Sequence, residues 1–392
     1  MISVEEAKAL VIKNIPALPP VTIPLSEAAG HVLAADIFAI CDIPAFRQSS
    51  MDGYAIRYSD KDLLLPVKGE MYAGVPEPFT IEPGEACRIF TGGPLPEGAD
   101  TVVMQEKVSV SDGRLRIVSD DLKPGDNVRD KGAEIRSGEL AMQNGTYLTP
   151  AAIGFLAGIG VSEVSVYPSP KVAVILTGKE LQQPGHTLAF GQVYESNSYS
   201  LSAALKIAGV TSITHYYADD DLAELKNILV KAITDNDMVL LTGGVSVGDY
   251  DFVVKAADLC GVTQIFHKVK QKPGKPLYFG KMNDRVIFGL PGNPSSVLSC
   301  FYNYVSLAIA RLSQQPDKVK FLTATLGHAI KKPAGLTHFL KGTYTDGVAA
   351  SLGAQESFRL SSFAHANCLI RLAESQDSFA KGDAVSVLLL PE

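Results

Sequence analysis

The residues best able to do chemistry follow a short apolar run, Met238 to Leu241, which is typical of a parallel strand buried on both faces. A glycine-rich turn comes next, and its backbone lets a ligand approach closely because no Cβ stands in the way. Hydroxyl and backbone N–H groups in such a turn form a nest for an anion such as phosphate. The turn residues expected to contact substrate are Thr242, Gly243, Gly244 and Ser246.

Two carboxylates, Asp249 and Asp251, follow this turn at the expected start of a helix. They would repel a bare phosphate, so their position favours a divalent cation such as Mg²⁺ that bridges carboxylates and phosphate oxygens. The alternative is a tight strand–helix turn with two solvated acids. Because glycine-rich turns are common, the local pattern alone gives the two interpretations equal weight.

A basic segment, Lys268 to Pro276, carries lysines at alternating positions on a chain restrained by proline and glycine. Alternation places several ammonium groups on one side of an extended segment, where they would neutralise an oxyanion such as phosphate or molybdate. In isolation, a solvated cationic loop is the more common explanation. The glycine-rich turn and the acidic pair nearby in the chain favour anion binding instead.

The loop from Pro291 through Gly292 and Asn293 to Pro294 joins an apolar strand to a long apolar helix. Pro294 suits a first helical turn, and Gly292 permits a tight backbone. The free N–H groups of the helix start would face a ligand above the sheet. A rigid connector is the other interpretation, and the two are compatible.

The composition bounds the class of protein. With 392 residues, 46% hydrophobic and 20% charged, the chain is an ordinary globular protein of several domains. A net charge of -7 argues against general nucleic-acid binding. Five scattered cysteines without a CxxC pair suit a reducing compartment better than a disulfide framework or a thiolate zinc site. We therefore expect a cytoplasmic protein, without a membrane span.

Strand–helix alternation from residue 171 onward predicts a parallel sheet, and ligands bind such sheets outside the carboxyl ends of the strands. Four expected strand ends, at Thr177, Asp219, Thr242 and Pro291, carry small or polar groups. Short segments punctuated by glycine and proline predict β structure at 41–140 and again after 316. Helices are expected at 3–14, 26–30, 151–159, 197–208, 222–233, 253–259 and 294–312.

Five ordered segments resemble the molybdopterin molybdenumtransferase (MoeA) family, which is similar to the E domain of gephyrin; they are 50–55, 91–100, 243–251, 272–276 and 291–294. The resemblance implies an elongated homodimer that inserts molybdate into adenylylated molybdopterin and releases AMP, aided by Mg²⁺ or another divalent cation. It implies a cleft in which the inserted domain of one protomer faces the sheet of the other. A separate molybdopterin adenylyltransferase would supply the substrate, and apo-molybdoenzymes would accept the product.

The expected fold class is α/β plus β: a multidomain chain with a doubly wound, mostly parallel sheet domain of molybdopterin-binding type, an inserted β-rich domain and a C-terminal β domain. The boundaries are 1–40 with 139–168 for a discontinuous N-terminal linker and dimerisation domain, 41–138 for the inserted domain, 169–315 for the α/β domain and 316–392 for the C-terminal domain.

The resemblance also implies roles for particular residues. It places Asp52 and Thr91 on the inserted-domain side of the cleft. The residues it places on the sheet side are Glu180, Asp219, Ser246, Asp249, Asp251, Lys268, Lys272, Lys275, Pro291 and Pro294. Lysines would reduce the repulsion between a pyrophosphate and the molybdate dianion, while Glu180, Asp249 and Asp251 are the candidate metal ligands.

Five positions depart from the pattern of the family: Lys179 and Glu134 stand where Asp is usual, Glu195 replaces Asp, and Lys341 and His365 replace Arg. We expect Lys179 at the solvated rim of the cleft, whereas Glu180 is the residue expected to bind within the site.

The departures are compatible with a non-catalytic molybdopterin-binding scaffold or a paralogue. A nucleotide-binding α/β protein unrelated to molybdenum would require five coincidental motifs. Molybdate and tungstate, equal in charge and nearly equal in size, are not distinguished.

Overall fold

The computed structural model describes residues 1–219, 221–244 and 252–391. The chain divides into two compact units. The sheet unit comprises Met1–Val21 with Ser165–Glu392, and the inserted unit comprises Thr22–Val164. The four domain boundaries expected from the sequence stay a prediction. Within the described residues, no helix combines the length and apolarity that crossing a membrane would require.

A six-stranded sheet forms the centre of the sheet unit. Its strands, in order across the sheet, are Ser212–Ala218, Lys171–Thr177, Met238–Thr242, Arg285–Leu290, Tyr278–Met282 and Thr263–His267. The first four are parallel to one another, and the last two are each antiparallel to the strand before. The expectation of a mostly parallel sheet is confirmed, and its parallel carboxyl ends meet at one edge.

Alternate residues of the central strands enter two separate cores. Val174 and Leu240 belong to the core on one face, whereas Ile175 and Leu241 belong to the core on the other. This two-residue period explains why the strands are apolar throughout. The helices of the sheet unit are Val4–Asn14, Asn197–Ile207, Leu222–Asp235, Phe252–Leu259, Pro294–Cys300, Ser306–Ser313 and Ser361–Ala364.

Two expected helices differ in the structure. The expected helix at 294–312 is interrupted by a π-helical turn at Phe301–Val305, where the side-chain amide of Asn303 donates to the carbonyl of Ser299 at 2.9 Å. Such side-chain bonds compete with the regular helical ladder. The expected helix at 26–30 is a single 3₁₀ turn, Leu25–Glu27, and Gly30 lies in the left-handed region at φ 82°.

The C-terminal part of the sheet unit is a second six-stranded sheet. Its strands, in order, are Gln271–Lys272, Thr337–Thr345, Val348–Ser351, Lys320–Leu326, Ala384–Leu389 and Cys368–Leu372. Thr337–Thr345 also pairs with Cys368–Leu372, so five strands close into a ring. Because Gln271–Lys272 pairs here, the basic segment connects the two sheets of the unit.

The inserted unit is β-rich, as its glycine and proline punctuation predicts. Its largest sheet contains, in order, Thr101–Met104, Gly53–Ile56, Ala86–Ile89, Leu65–Met71, Arg114–Ile117 and Val108–Ser111. A helix, Pro150–Gly158, begins after Thr149, whose hydroxyl accepts from the backbone N–H of Ala152 at 3.2 Å. This capping bond explains where the helix starts.

Candidate active site

A cavity of about 1350 Å³ lies in the sheet unit, between the carboxyl ends of the parallel strands and the C-terminal sheet. The residues of its wall that the sequence singled out are Thr177, Glu180, Thr242, Gly243, Lys272, Lys275, Pro291, Gly292, Asn293 and Pro294. The C-terminal part of the sheet unit adds residues that the sequence did not indicate, among them Lys331, Lys332, His338, Ser357 and Phe358. Ammonium groups, hydroxyl groups and aromatic rings therefore share one space.

The turn after Met238–Thr242 requires glycine. Gly243 has a φ of 84°, and a Cβ there would lie 2.7 Å from both the carbonyl and the hydroxyl oxygen of Thr177. The hydroxyl of Thr177 donates to the carbonyl of Thr242 at 3.2 Å. A Cβ on Gly292 would lie 3.7 Å from the Cα of Gly243. The ends of the strands Lys171–Thr177 and Met238–Thr242 thus approach each other closely because Gly243 has no side chain between them, and Gly292 lies within ordinary contact distance of Gly243.

Glu180 lies in the turn that follows the strand Lys171–Thr177, where it lines the cavity. Its carboxylate turns back over Gly178, to about 2.9 Å from where a Cβ of that glycine would be. The backbone carbonyl of Glu180 accepts from the N–H of Val193 at 2.9 Å, and Leu181–Gln182 pairs with Val193–Tyr194. The backbone around this carboxylate is therefore fixed by hydrogen bonds.

The basic segment is fixed from below by a buried glutamine. The amide of Gln271 donates to the carbonyl of Gly274 at 3.1 Å, and the hydroxyl of Tyr304 donates to its amide oxygen. Gln271 is fully buried, whereas Lys272 and Lys275 are exposed at the cavity. Because the backbone of this loop is already restrained, it presents two ammonium groups to a ligand without a further loss of backbone conformational entropy on binding.

The C-terminal sheet brings a second set of titratable groups to Lys272. Its register partner across the parallel pairing is His338, a buried residue that also lines the cavity. The ammonium of Lys332 donates to the carbonyls of Leu336 at 3.0 Å and Pro333 at 3.3 Å. Burial lowers the pKa of Lys332. Burial, followed by the charges of Lys332 and Lys272, lowers the pKa of His338 to about 4, so its imidazole is neutral at neutral pH.

On the inserted unit, Asp52 and Thr91 form an exposed pair. The backbone N–H and the hydroxyl of Thr91 each donate to one carboxylate oxygen of Asp52 at 2.8 Å. These two bonds are the main reason why the pKa of Asp52 is lowered, and the charge of Arg88 adds to the effect. Asp52 is therefore a carboxylate held by two hydrogen bonds that favour its ionised form.

Several expected site residues lie elsewhere. The described residues that line the cavity do not include Asp219, Lys268 or Gly244. Asp219 is exposed beyond its strand end, and Lys268 has a left-handed backbone at φ 72°. Ser246, Asp249 and Asp251 lie outside the described residues. Across 1–219, 221–244 and 252–391, no three His, Cys, Asp or Glu side chains gather as a metal site would need.

Three segments of the chain match family models in order: residues 2–160 match the MoeA N-terminal region (domain I and II), 173–311 a probable molybdopterin binding domain, and 323–390 the MoeA C-terminal region (domain IV). The molybdopterin molybdenumtransferase of Haemophilus influenzae is 34% identical over 99% of this chain and 98% of its own length. The chain belongs to the MoeA family. Molybdopterin molybdenumtransferase 2 of Mycobacterium tuberculosis is 35% identical over 99% of both chains.

A solved MoeA structure has the same fold. The molybdopterin biosynthesis MoeA protein of Pyrococcus horikoshii superimposes with a TM-score of 0.85 at 30% identity, covering 99% of both chains. Another solved structure, of a molybdopterin biosynthesis MoeA protein from Pyrococcus horikoshii OT3, gives a TM-score of 0.80 at 29% identity, with both chains fully covered. The expected fold class, a multidomain MoeA fold with a C-terminal β domain, is confirmed.

The departures from the usual MoeA pattern have distinct surroundings in this chain. Lys179 is exposed and, unlike Glu180, is not among the described residues that line the cavity. Glu195 is buried and accepts from the backbone N–H of Ser198 at 2.8 Å, in the first turn of the helix Asn197–Ile207. His365 and Glu134 are exposed.

Lys341, another departure from the family pattern, is hydrogen-bonded to the backbone of a neighbouring loop. It is 3% exposed, and its ammonium donates to the carbonyls of Ala354 at 2.8 Å, Arg359 at 3.0 Å and Glu356 at 3.3 Å. Its three donors are thus used within the protein, and they hold the loop that carries Ser357 and Phe358 to the cavity. A basic side chain at this position orders the wall of the cavity.

Proposed function

We propose that this protein is a molybdopterin molybdenumtransferase, which inserts molybdate into adenylylated molybdopterin and releases AMP. The observation that carries the proposal is the cavity at the strand ends, in which Lys272 and Lys275 stand on a loop anchored by buried side chains. The relatives that bear this name share 31 to 36% identity with the chain.

The charges of the cavity suit the two reactants. Adenylylated molybdopterin carries a pyrophosphate, and molybdate is a dianion, so their approach requires neutralisation. Lys272, Lys275 and Lys331 are exposed on the wall and supply positive charge. Fixed charges inside a partly enclosed site stabilise developing negative charge at little reorganisation cost. In this proposal the lysines bind both oxyanions and orient the pyrophosphate toward molybdate.

A divalent cation such as Mg²⁺ is part of the proposal. The carboxylate of Glu180 faces the cavity, and carboxylate oxygens are the ligands that Mg²⁺ prefers. Asp249 and Asp251, the other proposed ligands, lie outside the described residues. When bound, the cation would offset phosphate charge and polarise the phosphate that leaves with AMP.

We also propose a homodimer with a shared cleft, in which Asp52 and Thr91 act on substrate held by the partner copy. The helix Pro150–Gly158 supports an association surface, because it is almost entirely apolar and yet Leu156 is its one buried residue. The described residues leave open space around Gly154 and Gly158. An exposed apolar helix with small residues suits close contact with a second copy.

The partners follow from the reaction. A separate molybdopterin adenylyltransferase would supply the substrate, and apo-molybdoenzymes would receive the product. The proposal places the reaction in the cytoplasm, because five free cysteines suit a reducing compartment.

The decisive experiment supplies purified protein with adenylylated molybdopterin, molybdate and MgCl₂ and measures AMP and metal-loaded cofactor. Lys272→Ala is expected to lower the rate on the order of 100-fold, as the loss of a charged group from such a site does. The matched control is Lys320→Ala, which removes an exposed lysine from the C-terminal sheet. Tight binding of substrate by wild-type protein without AMP release would identify a binding scaffold instead of an enzyme.

A further inference from the structure

Two exposed aromatic side chains, Tyr194 and Phe358, line the same cavity as the lysines. Phe358 is 62% exposed and Tyr194 is 49% exposed. Isolated exposed aromatic residues are common on proteins. These two come from different parts of the sheet unit, the two short paired strands beside Glu180 and the C-terminal loop at 354–359.

The loop that carries Phe358 is anchored on both sides. On one side, the ammonium of Lys341 donates to three backbone carbonyls of this loop. From the sheet side, the N–H of Ser295 donates to the carbonyl of Ser357 at 3.1 Å, and the amide of Asn293 donates to its hydroxyl at 2.8 Å. The exposed ring is therefore held by a fixed backbone, so its exposure is not explained by a loosely packed surface loop.

Tyr194 is restrained in a similar way. Its hydroxyl donates to the carbonyl of His186 at 2.8 Å, and its strand pairs with Leu181–Gln182 beside Glu180. The hydrogen bond fixes the tip of the side chain, while half of its surface stays accessible at the cavity. Tyr194, whose hydroxyl is hydrogen-bonded, and Phe358, whose loop backbone is held by hydrogen bonds, thus border a cavity rich in ammonium groups.

We propose that Tyr194 and Phe358 form a ring-binding subsite, which takes the flat heteroaromatic ring of a phosphate-bearing ligand while Lys272 and Lys275 take the phosphate. Aromatic side chains stack on flat nitrogen heterocycles whatever the identity of the ring, since the contact uses its π-face. The inference rests on the proposed function, whose substrate has two such rings, a pterin and an adenine. The shared chemistry is a planar heterocycle next to a phosphate.

The test uses the absence of tryptophan from the chain. Phe358→Trp introduces a single tryptophan, whose fluorescence is quenched when a flat ring stacks on it. The probes are AMP, a pterin phosphate and inorganic pyrophosphate, which has no ring. We expect saturable quenching by at least one ring-bearing probe, and no comparable quenching by pyrophosphate.

Affinity measurements on the alanine variants give the second arm. Calorimetry is expected to show that Phe358→Ala binds the ring-bearing probe roughly 10-fold more weakly, the effect of losing one stacking side chain. Pyrophosphate affinity should be unchanged. Tyr194→Phe, which keeps the ring and removes the bond to His186, should bind nearly as wild type, whereas Tyr194→Ala should not. Weakening of AMP alone assigns the subsite to adenine, and weakening of the pterin phosphate alone assigns it to the pterin.

The matched control is Phe321→Ala, because Phe321 is 50% exposed on the C-terminal sheet and is not among the described residues of the cavity wall. Its affinities should equal those of wild type. Equal affinities in Phe358→Ala and wild type, with no quenching in Phe358→Trp, would overturn the subsite even if AMP release occurs. Weakened ring binding in a protein that releases no AMP would instead leave the subsite standing and remove the proposed reaction.

Discussion

At the residue scale, Thr91 controls the protonation of Asp52. Two donors from one threonine stabilise the ionised carboxylate, so the pKa of Asp52 lies below its usual range. A carboxylate with a lowered folded-state pKa adds stability above its ordinary pKa and loses that contribution as the pH falls through the lowered value. Since Asp52 is exposed, its main effect concerns the charge state of the site.

We predict that Thr91→Val raises the pKa of Asp52, because the hydroxyl donor is lost while the backbone N–H remains. The acid limb of the activity profile should move to higher pH. Carboxyl NMR titration measures the pKa directly, and Thr91→Ser, which keeps a hydroxyl, should leave it low. An unchanged Asp52 titration in Thr91→Val would assign the shift to other groups.

His338 provides a second prediction at this scale. Its folded-state pKa of about 4 lies below the value of about 6.5 for exposed histidine, so the unfolded chain binds a proton in this range before the folded one. Protonation of His338 in the unfolded chain therefore lowers the free energy of unfolding as the pH falls from about 6.5 to about 4. Thermal denaturation across this range should show a smaller loss of Tm in His338→Gln than in wild type. The exposed His365→Gln serves as the control, and equal slopes in all three proteins would contradict the assignment.

At the element scale, the position of the segment 271–276 depends on its packing against buried side chains. Gly274 has a φ of 87°, and a Cβ there would lie 2.4 Å from the sulfur of Cys300 and 2.8 Å from the amide nitrogen of Gln271. Cys300 and Gln271 are both fully buried. The position of Lys272 and Lys275 is thus determined by packing between the basic segment and the helix Pro294–Cys300.

We predict that Gly274→Ala destabilises the protein by about 2 kcal/mol, because left-handed strain and overpacking act together. Pyrophosphate binding should weaken in the same variant, since the lysines shift with the loop. Gly261→Ala is the matched control: Gly261 has a φ of 77°, but the described residues leave open space around its Cβ position. Urea unfolding compares the two, and equal losses would show that backbone strain alone is responsible.

At the scale of the whole molecule, the expected catalytic residues divide between two units. Asp52 and Thr91 belong to the inserted unit, whereas the lysines and Glu180 belong to the sheet unit. In the proposed homodimer, each cleft combines the inserted unit of one copy with the sheet unit of the other. Activity would then depend on association of two chains.

Mixing inactive variants tests this arrangement. We predict that Asp52→Ala and Lys272→Ala proteins, exchanged at equal concentrations, recover about one quarter of wild-type activity, because half of the dimers have one intact cleft. Analytical ultracentrifugation and differential labels establish the dimer and the exchange. The control mixes Lys272→Ala with Lys275→Ala, which alter the same unit and should not complement. Exchange without recovery would argue for a cleft within one chain.

The sequence by itself determined the features that depend on local pattern. Apolar runs predicted the parallel strands, the apolar stretch at 151–159 predicted the helix that the structure has at Pro150–Gly158, and the glycine-rich pattern predicted the turn at Gly243. Five ordered motifs indicated the family. Such features are readable because propensity, periodicity and left-handed backbone requirements belong to neighbouring residues.

Tertiary structure alone decided which distant residues meet. His338 faces Lys272 because two strands pair in a particular register, and Phe358 reaches the cavity because Lys341 holds its loop. Burial and the charges of Lys332 and Lys272 lower the pKa of His338, and Lys268 and Asp219 lie away from the described cavity wall. Register and burial arise from packing between segments far apart in the chain, and spacing along the sequence does not contain that information.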